Sequence, residues 1–441
     1  MARIYLVALC VVVACLLVGC AKRQVTTIAK DVSIYPQDAR FYLVPKDELA
    51  GSSFDTRLLK EAYLKAHFSP WSAKPNPDVK SVFWVQHSLQ TTPGFGENRL
   101  PNSKEFTQGI LDSMDIAHYP SVAQRAIMTE STNVRVVPSE KMRFDTEDDF
   151  PFDQWQNSWI FANTPVLITH YDKTKRWAHI QSGFVSGWIL VSSVALVDVQ
   201  QIARLQKASY ILPKRDNVPL YHNGKFLTNA RVGQILPVAK SLKERDIVLV
   251  AVRDMQGKAQ LVESTIAAQD IASFPRGFSQ GRSADLINTM LGDKYGWGGY
   301  LASRDCSAFI RDIFANYGLY LPRNSLAQAQ VKKSMQDLSQ LSRKQKERYI
   351  IEHGIPFGSV LYLKGHIMLY IGEYQGRAMV AHSAWSVKTS TLFRKYKNML
   401  GGVVVTSLYA GKEHNGIFSK TLLIDRVVGI TNLYSLLESP Q

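Results

Sequence analysis

The alternation of apolar and polar positions divides the chain into five segments. Residues 1–19 contain an unbroken apolar run from Ile4 to Val18, which is too short for a membrane-spanning helix and typical of a signal peptide. Residues 20–132 begin as a polar tether, over 21–40, and continue as an irregular, mainly helical pattern. Two groups of short alternating strands follow, and they predict small β-barrels over 133–199 and 200–274.

The last segment, residues 275–441, changes to an α+β pattern. Apolar positions on one face predict a helix over 284–291, and a second helix begins at Cys306 after a glycine-rich turn. Strands are predicted at 359–363, 366–371, 379–382, 403–409 and 422–428. The predicted fold class is a multidomain chain, with an α+β domain preceded by two small β-barrels and a mainly helical N-terminal segment.

Charge narrows the class of partner without identifying it. The chain has 441 residues and a formal net charge of +15, with an ordinary globular share of hydrophobic residues, 46%. An excess of positive charge favours an anionic partner, which includes nucleic acid, phospholipid and anionic polymers. Composition does not distinguish among these partners, whereas the location of the protein in the cell would.

The apolar run ends in a sequence that predicts lipidation. Leu17-Val18-Gly19-Cys20 matches the bacterial lipobox, in which the cysteine is acylated and becomes the first residue of the mature protein. Because Ala21 rather than aspartate follows, we expect an anchor at the periplasmic face of the outer membrane. The alternative is an ordinary N-terminal anchor helix.

Of the four cysteines in the chain, one is expected to remain as a free thiol. Cys10 and Cys15 leave with the signal peptide and Cys20 is acylated, so Cys306 would remain as the only free thiol in an oxidising compartment. A lone thiol there is either a nucleophile or an inert core residue. Its predicted position at a helix N-terminus favours the thiolate and therefore the first interpretation.

Two histidines bracket a predicted hairpin and supply a candidate base. If Gly372 opposes Gly376, His366 directly opposes His382 and both side chains project from one face. A cysteine, a histidine base and a second group that orients the base form the papain type of catalytic set. The alternative is two unrelated strand histidines.

These motifs together resemble the NlpC/P60 cysteine peptidases of bacterial cell walls. The resemblance covers about residues 280–410 and rests on these motifs: Tyr295-Gly296-Trp297-Gly298-Gly299, Asp305-Cys306-Ser307, Leu321-Pro322-Arg323, Gly365-His366-Ile367 and His382. The upstream segments resemble the N-terminal segment and the two SH3-like barrels of γ-D-glutamyl-L-diamino-acid endopeptidases, through Pro151-Phe152-Asp153, Gln156-Asn157-Ser158 and Gly187-Trp188.

The resemblance implies a papain-like fold and cleavage of peptidoglycan stem peptides after D-glutamate. Cys306 would be the nucleophile, His366 the base and His382 the orienting residue. Tyr295 would help to stabilise the oxyanion. Asp305 and Ser307 would contact a free L-alanine amine, although Asp305 is equally suited to cap the helix.

The expected partners are stem peptides and, through the lipid, a membrane. No nucleic acid is expected, and no metal or cofactor, because the chain has no HExxH or CxxC motif and no phosphate-binding glycine loop. Two rival functions remain: a wall-binding lipoprotein without turnover, and an acyltransferase that uses the same thiol chemistry.

Overall fold

The computed structural model describes residues 24–44 and 54–438 of the chain. The predicted signal peptide and the predicted lipidation site at Cys20 lie outside these residues. Within the described ranges, no helix combines the length and the apolar character needed to cross a membrane.

The N-terminal segment is mainly helical, but its first residues belong to the C-terminal domain. Its elements are β1 (Gln24–Ile28), α1 (Asp31–Ile34), α2 (Thr56–His67), α3 (Val79–Val82), α4 (Gln86–Thr91) and α5 (Lys104–Ser113). β1 pairs in parallel with a C-terminal strand, with Gln24 opposite Lys395. The Asp31 carboxylate accepts hydrogen bonds from the N–H and the hydroxyl of Ser407, at 2.9 and 2.7 Å. The expectation of a tether here is wrong, because an edge strand with exposed polar side chains has the same pattern.

The first barrel is a seven-stranded sheet that starts before its predicted boundary. Its strands are β2 (Gln124–Met128), β3 (Thr132–Arg135), β4 (Gln156–Ile160), β5 (Pro165–Tyr171), β6 (Trp177–Gln181), β7 (Ser186–Leu190) and β8 (Val194–Leu196), in the order β4-β3-β7-β6-β5-β2-β8. β2 pairs with both β5 and β8. The barrel therefore begins at Gln124 rather than at residue 133.

The second barrel follows a short helix that the strand pattern did not indicate. The elements are α6 (Val199–Lys207), β9 (Ser209–Pro213), β10 (Val218–His222), β11 (Lys225–Ala230), β12 (Leu236–Ser241), β13 (Arg245–Arg253), β14 (Ala259–Ala267) and β15 (Ile271–Ser273). Five of the strands form a sheet in the order β14-β13-β12-β9-β15, and β10 pairs with β11. The strand predicted over 232–238 begins only at Leu236, because Gly233 has a φ of 93° and turns the chain.

The C-terminal domain packs helices against a mixed sheet. Its helices are α7 (Gln280–Met290), α8 (Cys306–Ala315), α9 (Ser325–Ala329), α10 (Arg343–His353), α11 (Leu423–Arg426) and α12 (Tyr434–Glu438). Its strands are β16 (Gln336–Asp337), β17 (Ser359–Leu363), β18 (His366–Tyr374), β19 (Arg377–Ser390), β20 (Lys395–Ser407) and β21 (Val427–Asn432), in the order β1-β20-β19-β18-β17-β21-β16. The strand predicted over 422–428 is instead the short helix α11 followed by β21.

The core of this domain explains how α8 is oriented. Phe309, Ile310 and Ile313 of α8 are fully buried in one apolar cluster with Ile367 and Leu369 of β18. The apolar stripe of the helix therefore faces the sheet and brings the helix N-terminus to β18. The predicted α+β domain, two small barrels and mainly helical N-terminal segment are all present.

The hairpin between β18 and β19 has a tighter turn than predicted. Tyr374 pairs with Arg377, so the turn consists of Gln375 and Gly376, whose φ angles are 52° and 73°. Two-residue hairpin turns favour positive φ at both central positions. Gly376 therefore belongs to the turn and does not oppose Gly372, as the sequence interpretation assumed.

The changed register moves the two histidines apart along the strands but keeps them on one face. Leu369 is opposite Ala381, which places His382 nearest Met368 instead of His366. His366 lies two residues from Met368, and side chains two apart share a face of the sheet. The predicted direct opposition is wrong by two residues, and the predicted common face is correct.

Arg304 joins the second barrel to the C-terminal domain. Its side chain is 1% exposed, and its Nε donates to Asp312 of α8 at 2.8 Å. Both terminal nitrogens bind the carboxylate of Asp216, which precedes β10, and one of them also donates to the Val232 carbonyl at 3.1 Å. A buried guanidinium is tolerated here because two carboxylates and a carbonyl satisfy its donors.

We predict that Arg304→Met lowers the free energy of unfolding by about 3–5 kcal/mol, because Asp216 and Asp312 would lose their buried partner. Chemical denaturation followed by fluorescence measures the change. The matched control is Arg215→Met, which removes the half-exposed pair with Asp270 and should cost no more than about 1 kcal/mol. Equal losses in the two variants would contradict the assignment of Arg304 as a buried junction.

Candidate active site

Cys306 lies at the point where α8 meets β18. It is the first residue of the helix, its side chain is buried, and the residue is 8% exposed. The backbone N–H groups of Ile367 and Ser307 face the sulfur and favour its ionised form. Because Ile367 follows His366, the thiol lies beside the strand that carries the candidate base.

His366 and His382 are linked in a hydrogen-bonded chain that ends at Thr406. Nε2 of His366 is 2.8 Å from Nδ1 of His382, and Nε2 of His382 is 3.1 Å from the Thr406 hydroxyl. His382 is fully buried, whereas His366 is partly exposed. Sequence reasoning did not include Thr406, because the pairing of β19 with β20 that brings it to His382 leaves no local signal.

The Asp305 carboxylate is surrounded by donors. It accepts from the N–H of Ala308 at 2.8 Å, which caps α8, and from the N–H of Gly298 at 3.1 Å. The Ser307 hydroxyl donates to it at 3.2 Å, and Arg323 donates to both of its oxygens at 3.1 and 2.6 Å. The carboxylate therefore holds together the helix start, the glycine-rich turn and Arg323.

Arg323 extends this network to the first barrel. Its Nε donates to the Ser158 hydroxyl of β4 at 2.8 Å, and it also donates to the Ser307 hydroxyl at 2.7 Å. Burial would raise the pKa of Asp305, but the Arg323 guanidinium and the surrounding donors hold that pKa below its usual value. Asp305 is thus a charged carboxylate that forms an ion pair with Arg323 inside the protein.

The glycine-rich turn is fixed by the first barrel as well. Trp297 donates its indole N–H to the Asp153 carbonyl at 2.9 Å, and Gln156 donates to the Gly298 carbonyl at 3.0 Å. Gly298 has a φ of 58°, and a Cβ there would lie 2.7 Å from the Gln156 side chain. Only glycine lets the turn approach the barrel so closely.

Tyr295 begins this turn and lies deep in the site. Its ring contacts Phe152 and Trp385, with centroid distances of 6.4 and 6.3 Å. Burial raises the pKa of Tyr295 well above its usual value, and the neighbouring Cys306 and Asp305 raise it further. The hydroxyl therefore stays protonated and can donate a hydrogen bond.

Two cavities share lining residues at this site. The thiol-side cavity, of about 560 Å³, lies between the first barrel and the C-terminal domain, and among its lining residues are Cys306, Asp305, Ser307 and Arg323. The histidine-side cavity, of about 220 Å³, contains His366 and His382. Tyr295, Trp297 and Gly365 line both. The structure thus brings together the six residues predicted for the site in the described part of the chain.

The electrostatics of the site differ from the expectation of a thiolate stabilised by the helix. Burial, followed by the charge of Asp305, raises the pKa of Cys306 to about 12. Burial, followed by the positive charge of Arg426, lowers the pKa of His366 to about 4. Burial and then His366 lower the pKa of His382 well below its usual value. These pKa shifts favour a neutral thiol and neutral imidazoles in the free site, because desolvation opposes the effect of the helix N–H groups.

Within residues 24–44 and 54–438, no group of three or more histidine, cysteine, aspartate or glutamate side chains is arranged to hold a metal ion.

Four family models match the chain in the predicted order. Residues 9–119 match the NLPC_P60 stabilising domain, residues 142–190 an SH3 domain of SH3b1 type, and residues 198–242 an SH3 domain of SH3b2 type. Residues 292–404 match the NlpC/P60 family. The resemblance inferred from the motifs is confirmed. No curated protein matches the chain.

Solved structures confirm the fold class. An NlpC/P60 endopeptidase from Photobacterium damselae subsp. piscicida is similar with a TM-score of 0.80 and 23% identity, over 95% of this chain and 100% of that one. An NlpC/P60 family protein from Bacillus cereus ATCC 10987 is similar with a TM-score of 0.50 and 15% identity, over 70% of this chain and 99% of that one. At these identities the likeness establishes the fold.

We predict that iodoacetamide alkylates Cys306 of the free protein slowly at neutral pH, because the thiolate is the reactive species and the raised pKa keeps it scarce. The rate should rise about tenfold per pH unit between about pH 6 and pH 9. Mass spectrometry of the Cys306 peptide measures the rate at each pH. A pH-independent plateau in the neutral range would instead indicate a preformed thiolate–imidazolium pair and contradict the prediction.

Proposed function

We propose that this chain, which carries an NlpC/P60 domain after two SH3b domains, is a cysteine endopeptidase that hydrolyses peptidoglycan stem peptides. The observation that carries the proposal is the contact of the Cys306 thiol with the Ile367 N–H of β18. The neighbouring residue, His366, is hydrogen-bonded to His382, and the cavities that hold the thiol and the histidines share lining residues. A nucleophile, a base and an oriented base partner are the parts that acyl transfer requires.

The histidine chain suits a base at one ring nitrogen. When Nε2–H of His366 donates to Nδ1 of His382, the proton of His382 lies on Nε2 and points to Thr406. Nδ1 of His366 then carries a lone pair and can accept the thiol proton. His382 acts as a positioning residue, since it fixes this tautomer and the plane of the base.

The reaction then proceeds through an acyl-enzyme. As the thiol proton moves to His366, the sulfur attacks the scissile carbonyl, and the imidazolium returns the proton to the departing amine. Water hydrolyses the thioester with the same base. The oxyanion can accept from the Tyr295 hydroxyl and from the N–H of Cys306, because the first N–H groups of a helix have no intrahelical acceptor.

The bond we propose is the one between γ-D-glutamate and the diamino acid that follows it. The upstream segments support this choice, since Pro151-Phe152-Asp153, Gln156-Asn157-Ser158 and Gly187-Trp188 resemble the first barrel of the endopeptidases with that specificity. Because His366 must protonate the leaving amine, the diamino acid would occupy the histidine-side cavity and the glutamyl group the thiol-side cavity. Asp305 already binds Arg323 with both oxygens, so we assign it and Ser307 to positioning the helix start and the turn beside the substrate.

We further propose that the protein is lipid-anchored through Cys20 at the periplasmic face of the outer membrane. The lipobox supports this placement. β1 of the C-terminal sheet begins at Gln24, four positions after Cys20. Four residues span at most about 14 Å, so the anchor would hold the sheet close to the lipid surface.

The central prediction is cleavage that depends on the thiol. Incubated with L-Ala-γ-D-Glu-meso-diaminopimelate and with its muramyl form, the protein should release diaminopimelate, and Cys306→Ala should release none. Mass spectrometry identifies the products, and an unchanged unfolding midpoint of the variant serves as the folding control. Binding to purified sacculi without cleavage would indicate a wall-binding protein, and products that carry an added amine would indicate an acyltransferase.

The anchor gives a separate prediction. Cys20→Ala should remove the protein from the outer-membrane fraction, because only the acyl chains would hold it there. Fractionation of the inner and outer membranes followed by immunoblotting measures the change, with Cys15→Ala as the matched control that retains the lipidation site. Unchanged outer-membrane association of Cys20→Ala would rule out the lipid anchor.

A further inference from the structure

The histidine-side cavity carries two positive charges that the proposed mechanism does not use. Arg426, the last residue of α11, and Lys388 of β19 both line it, and both are exposed there. Arg426 is close enough to His366 for its charge to oppose protonation of that ring. The two cations therefore stand on the side of the site where the base lies.

These charges are not compensated by the protein. Within residues 24–44 and 54–438, no aspartate or glutamate lines the cavity. The carboxylate next to Arg426 in sequence, Asp425, is bound by both Nε and a terminal nitrogen of Arg343 and is not among the residues that line this cavity. Burial lowers the pKa of Arg426 without any carboxylate to raise it again. A guanidinium left without a partner in a cavity is available for an anionic ligand.

Apolar side chains form part of the remaining walls of the cavity. Phe152, Trp297, Trp385 and Val387 contribute aromatic and aliphatic surface to it. Such a cavity fits an aliphatic chain that ends in a carboxylate. The apolar walls cover the methylene groups, and the cations bind the end of the chain.

In the proposed orientation of the substrate, an aliphatic chain that ends in a carboxylate would lie in the histidine-side cavity. Since His366 protonates the departing amine, the diamino acid lies on the histidine side. The side chain of diaminopimelate ends in a carbon that carries both an ammonium group and a carboxylate, whereas that of lysine ends in an ammonium group alone. Two unpaired cations attract the carboxylate at the end of the diaminopimelate side chain. They repel the lysine side chain, which ends in an ammonium group alone.

We propose that Arg426, assisted by Lys388, binds the side-chain carboxylate of the leaving diamino acid and selects diaminopimelate over lysine and over amidated diaminopimelate. This inference rests on the proposed function. It adds to that function a specificity-determining pair of residues on α11 and β19, outside the catalytic set.

The test compares three tripeptides, L-Ala-γ-D-Glu followed by meso-diaminopimelate, by its side-chain amide or by L-lysine. The full chain, purified in detergent, should cleave the first with a kcat/KM about ten- to a hundredfold above the other two. Arg426→Gln should lower kcat/KM for diaminopimelate about tenfold or more, mainly through KM, and leave the lysine peptide unchanged or slightly better. Arg426→Lys should restore part of the loss, because it retains the charge but not the bidentate geometry.

Two further variants control the comparison. Lys388→Gln should give a smaller loss with the same substrate dependence. Arg394→Gln, at an exposed arginine that lines neither cavity, should change none of the three rates.

The possible failures are distinguishable. Cleavage of all three peptides at similar rates by the unmodified protein would overturn the inference and leave the peptidase function intact. Equal losses on the diaminopimelate and lysine peptides in Arg426→Gln would also overturn it, since Arg426 would then act through His366 or through folding. Failure of the unmodified protein to cleave any of them would refute the proposed function, and the inference would fall with it.

Discussion

The buried guanidinium of Arg304 is the constraint on which the arrangement of the site depends. Desolvating a guanidinium costs several kcal/mol, and the protein offsets this cost by bringing Asp216 of the second barrel, Asp312 of α8 and the Val232 carbonyl to the same point. The Arg304 carbonyl also accepts from the Ser383 hydroxyl of β19 at 2.7 Å. One residue thereby fixes barrel, helix and sheet relative to one another. The chain enters the active site directly from this residue, so the position of Cys306 follows from it.

The first barrel completes the site from the opposite side. Ser158 binds Arg323, Gln156 binds the glycine-rich turn, and Asp153 accepts from the Trp297 indole. These are short contacts between rigid strands and the turn that carries Tyr295, so the barrel forms one wall of the thiol-side cavity. An SH3b domain in this position determines what can reach the thiol, in addition to any affinity that it has for the wall. The C-terminal domain alone would lack that wall and half of the contacts that shape its turn.

Local patterns in the sequence predicted the parts of this structure that local forces determine. The helix that starts at Cys306 has an apolar stripe and an N-cap at Asp305, and both are visible in consecutive residues. The motifs around His366 and His382 likewise identified the histidine pair. The register of their hairpin was missed, because the sequence does not distinguish a turn at Gln375-Gly376 from a three-residue loop flanked by glycines.

What could not be predicted depends on contacts between distant parts of the chain. Residues 21–40 were interpreted as a tether because their composition is mixed and polar, yet the backbone of residues 24–28 pairs with β20. The partners of Asp305 include Arg323 and Gly298, and the pairing with Arg323 supports the positioning role that we propose for Asp305. The raised pKa of Cys306 has a related reason: a helix N-terminus is visible in sequence, whereas the burial that opposes its effect on the thiol is not.

A neutral thiol is compatible with catalysis if the ion pair forms only in the presence of substrate. In the free protein, separating charge between Cys306 and His366 would place an anion and a cation in a largely desolvated space, which is costly. A bound substrate changes that balance. The sulfur can form a bond with the carbonyl carbon of the substrate as it loses its proton. An anionic group beside Arg426 would neutralise the positive charge that opposes protonation of His366. The same arrangement protects the protein between turnovers. Thiolates are oxidised far more readily than thiols, so a cysteine that ionises only under its substrate can persist as a free thiol in the oxidising compartment that we propose for it.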